Sequence, residues 1–177
     1  MQLETERLIL RKLEESDAER LFLLDSNPEV VKYVGTPPQT DIKESENVIK
    51  MIRQQYADNG VGRLAVIEKK SNLLIGWSGL KFITKEINGY NNIYELGYRF
   101  IPEFWGKGYA IESARAALSF GFNDLNREII YACAHCENDG SNHILKKLGF
   151  EKTGEFEEPD GICFWYELKR EKYNIIQ

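Results

Sequence analysis

The stretch Ile93-Tyr94-Glu95-Leu96-Gly97-Tyr98-Arg99-Phe100-Ile101-Pro102-Glu103-Phe104-Trp105-Gly106-Lys107-Gly108-Tyr109-Ala110-Ile111-Glu112 decides how this chain folds. Residues 93–100, with Tyr94, Tyr98 and Phe100, carry the aromatic character of a strand, and Pro102 with two glycines ends it. A helical period then takes over. Ile111, Ala114, Leu118 and Phe122 are spaced three, four and four apart, so a helix over 109–123 presents one apolar face to a sheet. Gly106 and Gly108 lie between strand and helix, where they free successive main-chain N–H groups to turn toward one point at a helix N-terminus. Such a site binds phosphate.

Spacing narrows the phosphate ligand. A P-loop needs four residues between its glycines and then Lys-Ser/Thr, which this loop lacks. A dinucleotide fingerprint needs a third small residue three positions after Gly108, where the chain has Ile111, and its strand opens a βαβ fold rather than closing a meander. Both nucleotide readings fail. A purely structural glycine turn stays open at this point.

Working outward, residues 128–134 read as a strand, so 93–100, the helix and 128–134 make a βαβ crossover with parallel strands and a right-handed connection. Upstream, 64–68, a turn at 69–72, 73–82, a polar loop at 88–92 and then 93–100 form an antiparallel meander. Near the start Arg7-Leu8-Ile9-Leu10-Arg11 alternates as a half-buried strand. Ser16 with Glu19 has capping-box spacing ahead of Leu21, Phe22 and Leu24. Val48, Ile52 and Tyr56, with Ile49, mark a second helix after Thr40 that Asn59-Gly60 stops. Asn138 can cap a short helix carrying Ile144, Leu145 and Leu148, with Gly149 as terminator. Strands at 150–156 and 162–168 close the chain. The order β-α-α-β-β-β-α-β-α-β-β is neither regular alternation nor all-β, which implies an α+β fold with a mixed sheet.

Composition bounds the partners. The chain has 177 residues, 42% of them hydrophobic, enough for one domain over 1–177 with a real core. With 23 basic and 28 acidic side chains the net charge is −5. That lacks the basic footprint of a nucleic-acid binder and suits a cationic partner. No internal repeat or linker tract interrupts the chain. Three cysteines cannot all pair, and neither a signal peptide nor an apolar run near 18 residues is visible, so a reduced, soluble, cytoplasmic protein without a membrane partner is expected.

Cys133-Ala134-His135-Cys136 resembles a dithiol redox motif. It comes late: 44 residues follow Cys133, and a thioredoxin-like fold is expected to need more for its later helix and hairpin. Only Cys163 remains as a further thiol, so no zinc site is expected and the metal expectation is none.

Glu95 to Phe100, Pro102, Trp105 to Ala110 with Glu112, and later Asn138, Ser141 and Lys147-Leu148-Gly149-Phe150, together resemble the Gcn5-related N-acetyltransferases (GNAT). Within that family the chain is most similar to the branch that includes ribosomal-protein N-terminal acetyltransferases. The likeness runs from Thr5-Glu6-Arg7-Leu8 to Trp165-Tyr166-Glu167-Leu168. The resemblance implies a single-domain α+β fold: a mixed, mostly antiparallel sheet of about seven strands flanked by helices, with a splayed parallel pair in the middle. It also implies an activity, direct transfer of the acetyl group of acetyl-CoA, the acyl-donor substrate, to a primary amine within a ternary complex.

By the same resemblance the amides of Gly106, Lys107, Gly108, Tyr109, Ala110 and Ile111 wrap the donor's pyrophosphate, with the Lys107 charge nearby. Trp105 stands where many relatives carry Arg or Gln. The pantetheine arm inserts between the parallel strands, pairing with backbone groups of Tyr98 and Phe100, and an N–H there serves as oxyanion donor. The Tyr98 and Phe100 rings can equally be core aromatics. Glu95 is the first candidate for general base and His135 the second; the competing readings are a strand-end ion pair and a solvated histidine. Asn138 is both helix cap and neighbour of the arm. Leu145 occupies the position where many relatives place an acid tyrosine, so Ser141 takes over the departing thiolate, or is simply a first-turn helix residue. Phe164-Trp165-Tyr166 read as core strand, with a ligand platform as the competing reading. The acidic loop Glu155, Glu157, Glu158 and Asp160 is either a solvated face or, with segment 28–39, the rim of the amine site. The acceptor is a protein N-terminus or a small-molecule amine such as a polyamine or an amine antibiotic. Homodimerisation is carried by the resemblance alone. Leu145 also motivates an alternative: a catalytically silent acyl-CoA sensor or interaction protein with the same fold.

Overall fold

The computed structural model describes residues 1–176. Eight strands share one sheet: β1 Gln2–Glu4, β2 Leu8–Arg11, β3 Leu64–Glu68, β4 Leu73–Ile83, β5 Ile93–Phe100, β6 Ile129–His135, β7 Glu151–Glu158 and β8 Gly161–Lys169. Their spatial order is β1-β2-β3-β4-β5-β6-β8-β7. Neighbours are antiparallel except β5 and β6, which run parallel. Among the described residues six α-helices accompany the sheet: α1 Ala18–Asp25, α2 Pro28–Val31, α3 Ile42–Asn59, α4 Tyr109–Ser119, α5 Asp139–Lys147 and α6 Arg170–Ile176. The expected architecture, mixed with a central parallel pair, is what forms.

β4 and β5 stay in register from Gly76 opposite Phe100 to Ile83 opposite Ile93. The connection between them closes at Asn88 and Gly89, whose φ of 50° and 77° suit a tight mirror-image turn, and Ile87 and Tyr90 exchange main-chain bonds of 2.8 and 2.9 Å across it. On the other side of β5 the pairing nearly fails. One residue pair, Glu95 with Tyr131, joins β5 to β6, whereas β6 and β8 pair at seven positions from Ile129/Lys169 to His135/Cys163. Past Glu95 the two parallel strands part, leaving a gap in the middle of the sheet.

Two apolar clusters hold the halves of the sheet. One gathers α1 and α3 on β2, β3 and β4; the other packs α4, α5 and α6 against β5, β6 and β8. Tyr98 contacts both. Ala114, Leu118 and Phe122 are buried, as their period requires, and full burial of a Leu or Phe side chain contributes about 1.5–3 kcal/mol each. After Ser119 the helix widens into a π-turn over Phe120–Asp124, so the expected 109–123 helix is an α-helix with a looser last turn.

Several local features differ from the sequence reading. The Ser16/Glu19 box does not form; the reciprocal cap is Glu14 with Asp17, two residues earlier, because Arg11 ion-pairs with Asp17 at 2.7 Å and fixes its carboxylate there. β1, α2 and α6 were without a sequence signal, and β1 raises the strand count from about seven to eight. Asp41 with Glu44 caps α3, and Gly60 ends it at φ 73°. Asn138 caps α5 as expected.

Candidate active site

The glycine loop opens α4. Gly106 and Gly108 have φ of 71° and 82°, a left-handed backbone that side chains resist. Space is not the reason for glycine: a Cβ at Gly106 would meet nothing within 4 Å, and at Gly108 only Arg7 Nη2 at 3.4 Å. Gly108 is the N-cap of α4 and has no side chain to cap it. Among the described residues, the main-chain N–H groups of Gly106, Lys107, Gly108, Tyr109, Ala110 and Ile111 donate to no protein acceptor. The helix dipole adds positive potential at the same point.

The loop is braced from the N-terminal strands. Arg7 ion-pairs with Glu112 at 2.6 Å, donates to the Lys107 carbonyl at 2.9 Å and lies 4.4 Å over the Tyr109 ring. The Thr5 hydroxyl and the Arg7 N–H donate to Glu112 Oε1 at 2.6 and 3.0 Å, and the Tyr109 hydroxyl donates to Glu68. Burial opposes ionisation of Glu112, but these donors outweigh it and hold the carboxyl below the ordinary glutamate value. Glu112 therefore acts as a clamp, although a carboxylate in the first turn shares the loop's anion-attracting end.

The gap lies beside this loop. Ile101 N–H donates to the Ile75 carbonyl at 3.0 Å, so strand alternation turns the main-chain groups of Tyr98 and Phe100 away from β4 and toward β6. The Phe100 carbonyl takes the Trp105 indole N–H at 2.6 Å, which ties the loop entrance to β5. Among the described residues, the Phe100 N–H and both main-chain groups of Tyr98 are free toward the gap.

At the gap, Asn138 Oδ1 accepts the Ser141 N–H at 3.0 Å. Tyr98 Oη lies 3.2 Å from Ser141 Oγ and 3.3 Å from the Ser141 carbonyl. Burial pushes the Tyr98 phenol well up, against the smaller opposing effect of Ser141, and keeps it protonated. Leu145, 1% exposed, belongs to the core. A phenol thus reaches Ser141 from β5 rather than from α5, a long-range contact that no local spacing in the sequence signals.

Glu95 sits at the closed end of the gap. Its Oε2 pairs with Arg63 Nη2 at 2.7 Å and its Oε1 accepts the Cys133 thiol at 3.2 Å. Arg63 also donates to the carbonyls of Gly79 and Glu95, each at 2.6 Å. A Cβ at Gly97 would lie 2.6 Å from Arg63 Nη2, so glycine makes room for the guanidinium. Burial pushes the Cys133 thiol far up, and Glu95 adds to that shift. Arg63 had no sequence signal. Trp77 is stacked by both Arg63, at 5.5 Å, and Arg99, at 5.1 Å, and Arg99 in turn pairs with Asp25 at 2.6 Å.

His135 is buried rather than solvated. Its Nδ1 accepts the Glu137 N–H at 3.2 Å, which leaves the ring hydrogen on Nε2, 3.1 Å from the Asp160 carbonyl. The ring stacks on Tyr33 at 5.3 Å, and a Cβ at Gly35 would lie 3.3 Å from the Asp160 carboxylate. The acidic loop and segment 28–39 therefore meet at the end of β6. Trp165 and Tyr166 are core residues. Cys133, Cys136 and Cys163 are free thiols. Among the described residues, no group of three or more His, Cys, Asp or Glu could hold a metal ion, and no helix is long and apolar enough to cross a membrane.

Comparison with known proteins agrees with this geometry. Residues 7–151 match the family described as an acetyltransferase (GNAT) domain. The uncharacterized N-acetyltransferase p20 of Bacillus licheniformis is 35% identical over 174 residues, covering 94% of this chain and 96% of that protein. The crystal structure of a GNAT-family acetyltransferase from Bacillus anthracis superposes with a TM-score of 0.81 at 28% identity, over 97% of this chain and 99% of that one. Spermidine N-acetyltransferase from Vibrio cholerae, solved with CoA and spermine, gives a TM-score of 0.76 at 25% identity, over 96% and 99%. A family match running from Arg7 through the glycine loop to Glu151, on a sheet parted beside that loop, makes this chain a member of the GNAT acetyltransferases, whose acyl donor is acetyl-CoA.

Proposed function

We propose that residues 1–177 are a single acetyltransferase domain that moves the acetyl group of acetyl-CoA to a primary amine by direct transfer within a ternary complex. The observation that carries this reading is the run of six unengaged N–H groups, 106–111, beside a gap bridged at one residue pair. Those groups receive the donor's diphosphate, each bond to a charged oxygen being stronger than a neutral one. The arm then lies along the gap-facing groups of Tyr98 and the Phe100 N–H, one of which stabilises the oxyanion. Asn138 lies beside the arm as the cap that fixes Ser141.

Amine attack requires removal of a proton. Both Glu95 oxygens are already hydrogen-bonded, so Glu95 acts through a water it orders, with His135, both nitrogens engaged, less suited. Ser141 hydrogen-bonds the departing thiolate. A small cationic amine is the acceptor we favour over a protein N-terminus, since the net charge is −5, the acidic loop joins segment 28–39, and the Vibrio relative is a spermidine N-acetyltransferase. Three free thiols support a reducing, cytoplasmic setting. The silent-sensor alternative drew on Leu145; the Tyr98 phenol beside Ser141 supplies hydroxyls where that helix lacks one, which favours turnover.

The test is release of CoA thiol from acetyl-CoA across polyamines, aminoglycosides and N-terminal peptides. Release with at least one amine is expected. Bound acetyl-CoA with no release from any acceptor would replace this reading with the sensor.

A further inference from the structure

We propose that Tyr98 is a positioning residue for thiolate departure: from β5 its phenol holds the Ser141 hydroxyl so that the serine O–H is free to point at the leaving sulfur. This rests on the donor reading above. Three contacts converge on one serine. Asn138 Oδ1 fixes its N–H at 3.0 Å, and Tyr98 Oη lies 3.2 Å from its Oγ and 3.3 Å from its carbonyl.

A hydroxyl has one proton and two acceptor sites, so this pair has two arrangements with the same heavy-atom positions. In the first, Ser141 Oγ–H donates to Tyr98 Oη while the phenol donates to the Ser141 carbonyl. In the second, the phenol donates to Ser141 Oγ and the serine proton turns outward. Negative charge growing on the sulfur favours the second. As the C–S bond breaks and the C–N bond forms, the electron pair goes to sulfur, which accepts the Ser141 hydrogen bond. Each hydroxyl polarises the next. Neither proton is transferred, because burial keeps the phenol neutral; CoA leaves as thiolate and takes its proton from solvent.

Leu145 explains why a strand residue is needed. It lies one turn further along α5 and is buried in the core, so that helix offers no phenol of its own. Tyr98 bridges from the facing strand and packs against both apolar clusters, which fixes the ring position that a long-range hydroxyl contact requires.

The test reads the ionisation of enzyme-bound CoA by the ultraviolet absorbance of its thiolate, and needs no acceptor. In the wild-type protein the bound thiol is expected to titrate about one pKa unit below free CoA, which is about tenfold more thiolate. Tyr98→Phe and Ser141→Ala should each lose most of that shift, and the double variant should lose no more than Ser141→Ala alone. Thermal melting and CoA affinity of Tyr98→Phe should stay near wild type, and its kcat with the best amine should fall while KM for acetyl-CoA holds. A bound thiol that titrates like free CoA, a normal shift in Tyr98→Phe, or additive losses would overturn the role of Tyr98 and leave the donor site standing. Failure of the wild-type protein to bind CoA would overturn the donor reading and this inference together.

Discussion

Arg63 Nη2 and Glu95 Oε2 lie 2.7 Å apart in a pair whose side chains are only 11% and 13% exposed, and this contact joins the residue before β3 to the wall of the sheet gap. Removing one member of such a buried pair strands the other charge, at a cost of about 3–5 kcal/mol, whereas replacing both by apolar residues is often neutral. Arg63→Ala should therefore melt well below the wild type, and Arg63→Met with Glu95→Met should recover much of that loss. Activity separates the roles. Glu95→Gln and the double Met variant should both lose about a hundredfold or more in kcat, the range of a general base. Recovery of stability together with full activity in the double variant would make Glu95 structural only.

The clamp on the glycine loop has a pH signature. Glu112 ionises more readily in the folded protein than the ordinary glutamate value of 4.5, so its stabilisation is fully present above that value and is lost as pH falls through the lower folded one. The difference in melting temperature between the wild type and Glu112→Gln should be constant near neutral pH and narrow in that acid range. A difference that widens on acidification would contradict the clamp.

Cys133 donates to Glu95 from a half-buried site whose desolvation keeps the thiol protonated. A protonated thiol is a poor nucleophile, so iodoacetamide should leave Cys133 unlabelled in the native protein and Cys133→Ala should retain turnover. Mass spectrometry after mixing with acetyl-CoA should show no acetylated Cys133. An acetyl group on that residue would replace direct transfer by a covalent relay.

Gly161, at φ 134°, faces His135, and an added Cβ would lie 2.6 Å from Nε2. Gly161→Ala should push the β7–β8 turn off the histidine and loosen the acidic loop. An acceptor KM that rises while acetyl-CoA affinity holds would support the loop as part of the amine rim. Neutralising Glu155, Glu157, Glu158 and Asp160 should raise the same KM for a polyamine, and an unchanged KM would remove the loop from the site.

Legibility in the sequence followed the range of the interaction. β5 and the α4 face were readable because period and punctuation are local, and the Asn138 cap needs only the next three residues. β1 and α2, three and four residues long, are too short to show a period. At the start of α1 two acid-bearing pairs had capping spacing, and the choice fell to Arg11, whose ion pair with Asp17 no spacing rule contains. The same limit hid the site's long-range partners. Arg63 reaches Glu95 across 32 residues of chain and Tyr98 reaches Ser141 across 43, so their roles exist only once the sheet has formed.

The central claim concerns the N–H groups at the start of α4, and calorimetric titration of acetyl-CoA into Gly108→Val tests it most directly. A branched side chain resists φ of 82°, so the loop should leave that conformation and its amides should no longer converge. The predicted result is at least about a tenfold weaker dissociation constant, more than about 1.4 kcal/mol, with the far-ultraviolet circular dichroism of the wild type retained. Wild-type affinity in that folded variant would contradict the account.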